Sequence, residues 1–166
     1  AEMPVLQITV AEYISAQLQD DDLELKNPLY RKIFRMYSDI RARLLEEDSS
    51  EAGREPEVMQ GRILRQFVNC QDPQVSVAVI DITEAKYVIN VKEYIKSQIP
   101  ERNTIDRNVP KAVLVYKLKC VENACSQLMD TLGHSPDETV QQEAMHHLKL
   151  LLQIKNVLVK DLNRVS

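Results

Sequence analysis

Apolar residues recur at helical spacing along most of the chain, and the longest such stretches lie in its last third. Over residues 105–132, Leu114, Val121, Cys125, Leu128 and Leu132 share one stripe. Over residues 136–163, Val140, Ala144, Leu148, Leu151, Ile154, Leu158 and Leu162 share another. Between them stands Gly133-His134-Ser135-Pro136. Gly133 can take the left-handed conformation that ends a helix, Ser135 is a favoured N-cap, Pro136 suits the first helical position, and Glu138 completes an S-x-x-E capping box. The pattern predicts an antiparallel helical hairpin. Its second helix is uneven along its length. From 148 to 159 it is apolar nearly all round, because Leu150 and Val157 flank one side of the stripe and Leu152 and Val159 the other; from 134 to 143 it is polar. A helix apolar on every side needs several partners, so the hairpin base is expected to pack on the rest of the chain and the tip to project toward solvent or a partner.

Upstream, Thr9 and Glu12 form a T-x-x-E box ahead of Val10, Tyr13, Ile14 and Leu18, which predicts a helix to about Gln19. The acidic run Asp20-Asp21-Asp22 ends it. Asn27-Pro28 is a second start signal, and Leu29, Ile33, Met36, Tyr37, Ile40 and Leu44 then make a stripe reaching Leu45. Residues 46–55 are polar, acidic and without apolar period, and are expected to form a mobile loop. Pro56 opens a helix with Met59, Ile63, Phe67 and Val68 on one face and Arg62 and Arg65 away from it. The alternating, β-branched run at 75–82 has the composition of a strand. Asp72-Pro73 is nevertheless a helix-start pair, and no second strand is present to pair with it, so a buried helix is expected. A further helix is expected over 84–99, with Tyr87, Val91, Tyr94 and Ile95 inward and Pro100 at its end.

Together these elements predict an all-α fold, with a helical bundle over residues 1–103 followed by the antiparallel hairpin over 104–166. Composition sharpens this: three Gly, no Trp and 5% aromatics suit helices, and a length of 166 residues supports one core with an appended subdomain. A first residue other than Met points to a processed chain or a piece of a longer one. The formal net charge of −4 weighs against a broad nucleic-acid surface. No apolar run has the length of a membrane span and no signal peptide opens the chain, while Cys70, Cys120 and Cys125 lack C-x-x-C spacing, as free thiols in a reducing compartment would. The expected location is cytoplasmic.

Groups that carry chemistry are sparse. Asp20 and Asp22 have a D-x-D spacing that can share Mg²⁺, but no further carboxylates or glycines surround them and an acidic helix end accounts for them. His146 and His147 are adjacent and point about 100° apart on a helix, unlike an i, i+4 zinc pair; His147 is expected at the core edge. Cys120 and Cys125 fall on different sides of one helix and read as packing residues. Neither a nucleophile elbow nor a phosphate-cradling loop is present. Arg31, Lys32, Arg35, Arg41 and Arg43 give the second helix a basic outer side, extended by Arg62, Arg65, Lys92 and Lys96, which reads as a solvated face with an acidic partner as the alternative.

Several stretches in order resemble the C-terminal domain of bacterial DnaG-type replicative DNA primases. They are Val10-Ala11-Glu12-Tyr13-Ile14, Asn27-Pro28-Leu29-Tyr30, Asp72-Pro73-Gln74-Val75-Ser76, Asp81-Ile82 through Lys86-Tyr87, Val109-Pro110 to Tyr116-Lys117, and Leu162-Asn163-Arg164-Val165. The acidic loop at 46–55 and the 77–82 run depart from that pattern. The resemblance implies a helical bundle with a C-terminal hairpin, no catalytic residues, metal or cofactor of its own, and a partner: the N-terminal region of the hexameric replicative helicase. Neither nucleic acid nor membrane is an implied partner. The expected contact residues lie at the hairpin turn and along its last helix: His134, Asp137, Gln141, Lys155, Lys160 and Arg164. Two other readings are a helical scaffold or regulatory domain for a different protein, and a small metal-dependent phosphohydrolase using Asp20, Asp22 and His146 or His147.

Overall fold

The computed structural model describes residues 8–48, 50–84, 105–135 and 137–165. Among these, seven helices and no strand are found: α1 Val10–Gln19, α2 Pro28–Glu47, α3 Glu51–Arg54, α4 Pro56–Val68, α5 Pro73–Glu84, α6 Ile105–His134 and α7 Glu138–Val165. The fold is all-α. The chain divides into two compact units, Ala1–Lys96 and Ser97–Ser166. Beyond Glu84, the helix expected over 84–99, with Tyr87, Val91, Tyr94 and Ile95, lies outside the described residues, as do Pro100 and Pro136.

In the first unit, local sequence sets the helix ends. Thr9 and Glu12 close a reciprocal box, with Thr9 N–H donating to Glu12 Oε2 at 2.8 Å and Glu12 N–H to Thr9 Oγ1 at 3.3 Å. At the other end of α1, Leu23 N–H reaches Leu18 O at 2.8 Å and Asp22 N–H reaches Gln19 O at 3.1 Å. These are the paired bonds of a Schellman terminus, with Asp22 at φ 53° in the left-handed position usually given to glycine. Asn27 Oδ1 accepts from Leu29 and Tyr30 N–H, so Asn27 caps α2 with Pro28 as its first residue.

The core lies where α2, α4 and α5 meet. Ile40, Leu44, Met59, Ile63, Phe67, Val75 and Val79 are buried together, with Leu29, Ile33, Met36 and Tyr37 packed on them. Val75 is fully enclosed. The strand-like run is helical because Asp72 Oδ1 receives Gln74 N–H at 3.0 Å and Val75 N–H at 3.4 Å, and because helical spacing points Val75 and Val79 into the same core. Val77, between them, is exposed. Ser76 Oγ then donates to Phe67 O at 2.9 Å, satisfying a carbonyl of the last turn of α4. Val68 departs from its expected inward place; one position beyond Phe67 on a helix, it rotates out to solvent.

The expected mobile loop at 46–55 is a structured corner instead. Helix α2 continues to Glu47, and Asp48 Oδ1 then accepts both Ser50 N–H at 3.1 Å and Ser50 O–H at 2.6 Å, while Ser50 Oγ accepts Gly53 N–H at 3.1 Å and so starts α3. Arg62, expected to face away, reaches back to Asp48 Oδ2 at 3.0 Å. Hydrogen bonds organise this segment, which is why apolar period does not reveal it.

In the second unit, α6 and α7 pack along one another and only residues 135–137 link them. So short a link between contacting helices leaves only an antiparallel course. Their buried seam includes Cys125 and Ala144, with Leu128, Leu132, Leu148, Leu151, Leu158 and Leu162 half-buried. Val113, Lys117 and Cys120 are also buried on α6. Val140 and Ile154, expected on the seam, are exposed. The turn differs too. Gly133 is helical rather than left-handed, since α6 continues to His134 and Ser135 N–H still reaches Thr131 O at 2.9 Å. The cap of α7 is Asp137, whose Oδ1 accepts Thr139 N–H at 2.9 Å and whose carbonyl takes Gln141 N–H at 3.0 Å. Among the described residues, Ser135 Oγ accepts only from Asp137 N–H, at 3.4 Å. An ionised carboxylate at the helix N-terminus also meets the helix dipole favourably, which a hydroxyl does not.

Two substitutions test these corners by urea unfolding. A Cβ on Gly53 would overlap the Asp48 carboxylate that Ser50 and Arg62 hold in place, so Gly53→Ala should destabilise the first unit by about 1–2 kcal/mol. Asp22→Gly should stabilise it by about 0.5 kcal/mol, because glycine adopts positive φ without steric cost.

Candidate functional site

The basic face of α2 is already occupied. Arg31 Nε donates to Leu25 O at 2.7 Å and its Nη1 lies 3.5 Å from Glu24, which Arg35 also pairs with. Lys32 Nζ bonds Asp72 Oδ2 at 2.5 Å, Arg41 meets Glu12 at 3.0 Å, and Arg43 bonds Gln66 at 3.4 Å. All five cations of this helix therefore serve to fix α1, the 20–27 connector, α4 or α5 against it. Lys92 and Lys96 lie outside the described residues.

These pairs leave an electrostatic signature. Asp72 is held below the usual aspartate range by its bond to Lys32, and Lys32 is correspondingly raised. Asp48 is lowered by the Ser50 hydroxyl and N–H and then by Arg62, Glu12 by Thr9 and then Arg41, and Glu122 by Lys119 and Lys155.

Among the described residues, no group of three or more His, Cys, Asp or Glu side chains is gathered as a metal ion would require. Asp22 of the D-x-D spacing serves the left-handed turn, with Asp20 still helical. His146 and His147 are both exposed with ring centroids 6.2 Å apart, which places His147 away from the core edge expected for it. Cys120 and Cys125 are both buried free thiols. Among the described residues of the first unit, two depressions are prominent. One, of about 340 Å³, lies between α1, the connector and α2 and is floored by Leu18, Leu23 and Phe34 beneath Arg31 and Arg35. The other, of about 590 Å³, is an apolar groove between α2, α4 and α5 lined by Tyr37, Leu64, Phe67, Val79 and Ile82.

The six expected contact residues separate into two sets. His134 Nδ1 lies 2.8 Å from Asp130 O, Asp137 caps α7, Gln141 Nε2 donates to Ser135 O at 2.6 Å, and Lys155 Nζ pairs with Glu122 of α6 at 3.2 Å. These four hold the hairpin itself. Lys160 and Arg164 are exposed on α7, with Arg164 only 3.4 Å from Asp161, its neighbour one turn earlier. What the list of six omitted is the apolar surface beside them: Leu150, Ile154 and Val157 are 46%, 48% and 56% exposed. Its signal in the sequence was the all-round apolarity of 148–159.

The chain thus falls in the class of all-helical proteins with a small bundle unit and a two-helix unit, and no described helix is long and apolar enough to cross a membrane. It belongs to the family described as a domain of unknown function, DUF8430, whose profile matches residues 1–165. No curated protein and no solved structure matches it significantly.

The carboxyls above make stability depend on pH in one direction. Their folded values are lowered, so the unfolded chain binds more protons in acid; their contribution is complete above the ordinary carboxyl range and is lost as pH falls through it. The denaturation midpoint should drop below about pH 4, and Asp72→Asn should flatten part of that drop. Lys32 is raised by the same Asp72 carboxylate, so this pair is lost in acid with Asp72 and is lost again in base as pH rises through the raised lysine value. Because the groups remain partly open to solvent, 1 M salt should shrink the effect.

Proposed function

We propose that the chain is a non-catalytic docking domain of a bacterial DNA primase, which binds the N-terminal region of the hexameric replicative helicase through α6 and α7. The observation that carries this reading is a two-helix unit whose last helix keeps a row of large apolar side chains at the surface, in a chain whose ordered sequence matches resemble the primase C-terminal domain. Soluble proteins seldom leave such a row uncovered without a partner for it.

In this reading the domain supplies affinity and a polymerase region elsewhere in the primase supplies chemistry. Docking converts primer synthesis at the fork from a bimolecular encounter into one governed by effective concentration, so a modest affinity suffices. The first unit is braced internally by the Asp72, Glu12 and Asp48 ion pairs. No cofactor or metal is required for docking, and the partner is a protein rather than nucleic acid or membrane.

The purified chain should co-elute with the helicase N-terminal region in gel filtration and should change the ATPase rate of the intact hexamer. Absence of both effects would sink the proposal.

A further inference from the structure

Four of the expected contact residues, His134, Asp137 and Gln141 near the turn and Lys155 farther along α7, also form hydrogen bonds or an ion pair within the hairpin. Exposed apolar side chains of α7 lie further along, Leu152 and Val159 on one flank and Leu150, Ile154 and Val157 on another, the latter being the row bordered by cations. Leu150, Ile154 and Val157 follow i, i+4, i+7 spacing and therefore stand on one face, all about half exposed. Lys149, Lys160 and Arg164 follow one edge of that face. Among the described residues Lys149 and Lys160 form no ion pair, and Arg164 is bonded only to Asp161, which is itself partly buried.

Resting on the helicase-docking reading, we propose that this face is the contact surface and that it takes an amphipathic helix of the partner whose apolar side is bordered by carboxylates. Anchors at this spacing are those of helix-on-helix recognition. The cationic edge selects the occupant. A second copy lying antiparallel across the same face would set Lys149, Lys160 and Arg164 against their own counterparts, a like-charge pairing that disfavours self-association. An acidic border meets the same edge favourably, steering encounter and fixing the register of the apolar anchors.

Two probes separate the surface from the identity of the partner. The first is a pair of amphipathic helical peptides with the same Leu/Ile face, one bordered by Glu and the other by Lys, titrated into the isotope-labelled full chain. The Glu peptide should shift the amide resonances of α7 and bind more tightly at low salt, and the Lys peptide should bind at least about tenfold more weakly. Ile154→Asp and, independently, Val157→Asp should each weaken the Glu peptide by about tenfold or more, as loss of a central apolar anchor does. Both positions are exposed, so circular dichroism and the unfolding midpoint should be unchanged. Lys149→Glu with Lys160→Glu should weaken binding and lower its salt dependence.

The second probe is the helicase N-terminal region. If it binds wild type and the Ile154→Asp and Val157→Asp chains equally, the surface is overturned while the helicase reading stands. Should the Glu peptide behave as described while the helicase does not bind, the helicase reading falls and the surface stands. Equal binding of both peptides, or peptide binding indifferent to both variants, overturns the surface. Concentration-dependent dimerisation in light scattering, abolished by Ile154→Asp, would assign the face to a second copy and overturn the acidic occupant.

Discussion

Burial of Val75 and Val79 against α2 and α4 is the constraint on which the first unit depends. Their segment has the β-branched alternation of a strand, and its backbone would have no ladder partner in an all-helical surrounding. As a helix it satisfies its own amides, and spacing by four turns both valines to one side. Asp72 makes that outcome local as well as global. One of its carboxylate oxygens caps α5 and the other bonds Lys32 of α2, so the residue that starts the helix also sets where it docks. Ser76 then binds the end of α4. Capping, apolar burial and ion pairing act on the same few residues, and this mutual support gives a helix of poor propensity one defined place.

Charge in this unit is mostly structural. A helix carrying Arg31, Lys32, Arg35, Arg41 and Arg43 resembles a basic binding face when read alone, yet each cation reaches a carboxylate or carbonyl on a neighbouring segment. Exposed pairs of this kind contribute little singly. Their effect lies in orientation: Glu24, Glu12 and Asp72 come from three different segments, and α2 is the axis that collects them. The 46–55 corner works in the same way through Asp48, Ser50 and Arg62, with Gly53 buried where a side chain would collide with the carboxylate.

The second unit obeys a different rule. Two helices of 30 and 28 residues, joined by three residues and packed along one another, run antiparallel, and one flank each is then covered. Helix α7 is apolar on more sides than one neighbour can cover. The surplus remains at the surface as Leu150, Ile154 and Val157 on one flank and Leu152 and Val159 on another, and the first of these rows connects the packing of the hairpin to its proposed use. Polar groups near the turn, His134, Asp137 and Gln141, also bond within the hairpin.

The sequence by itself determined the helical class, the Thr9–Glu12 and Asn27–Pro28 starts, the α2 stripe and the inward Met59, Ile63 and Phe67. Each of these rests on residues within a turn or two of one another, where spacing and capping chemistry suffice. Only the tertiary structure decided the rest. Arg62 turned toward Asp48, Val140 and Ile154 were left outside the seam, Asp137 rather than Ser135 began α7, and Gln141 and Lys155 were taken up internally. These outcomes depend on which groups another segment brings within hydrogen-bonding distance, or on which flank of a many-sided apolar helix its neighbour covers. Periodicity along one chain specifies the faces of a helix, and only packing selects among them.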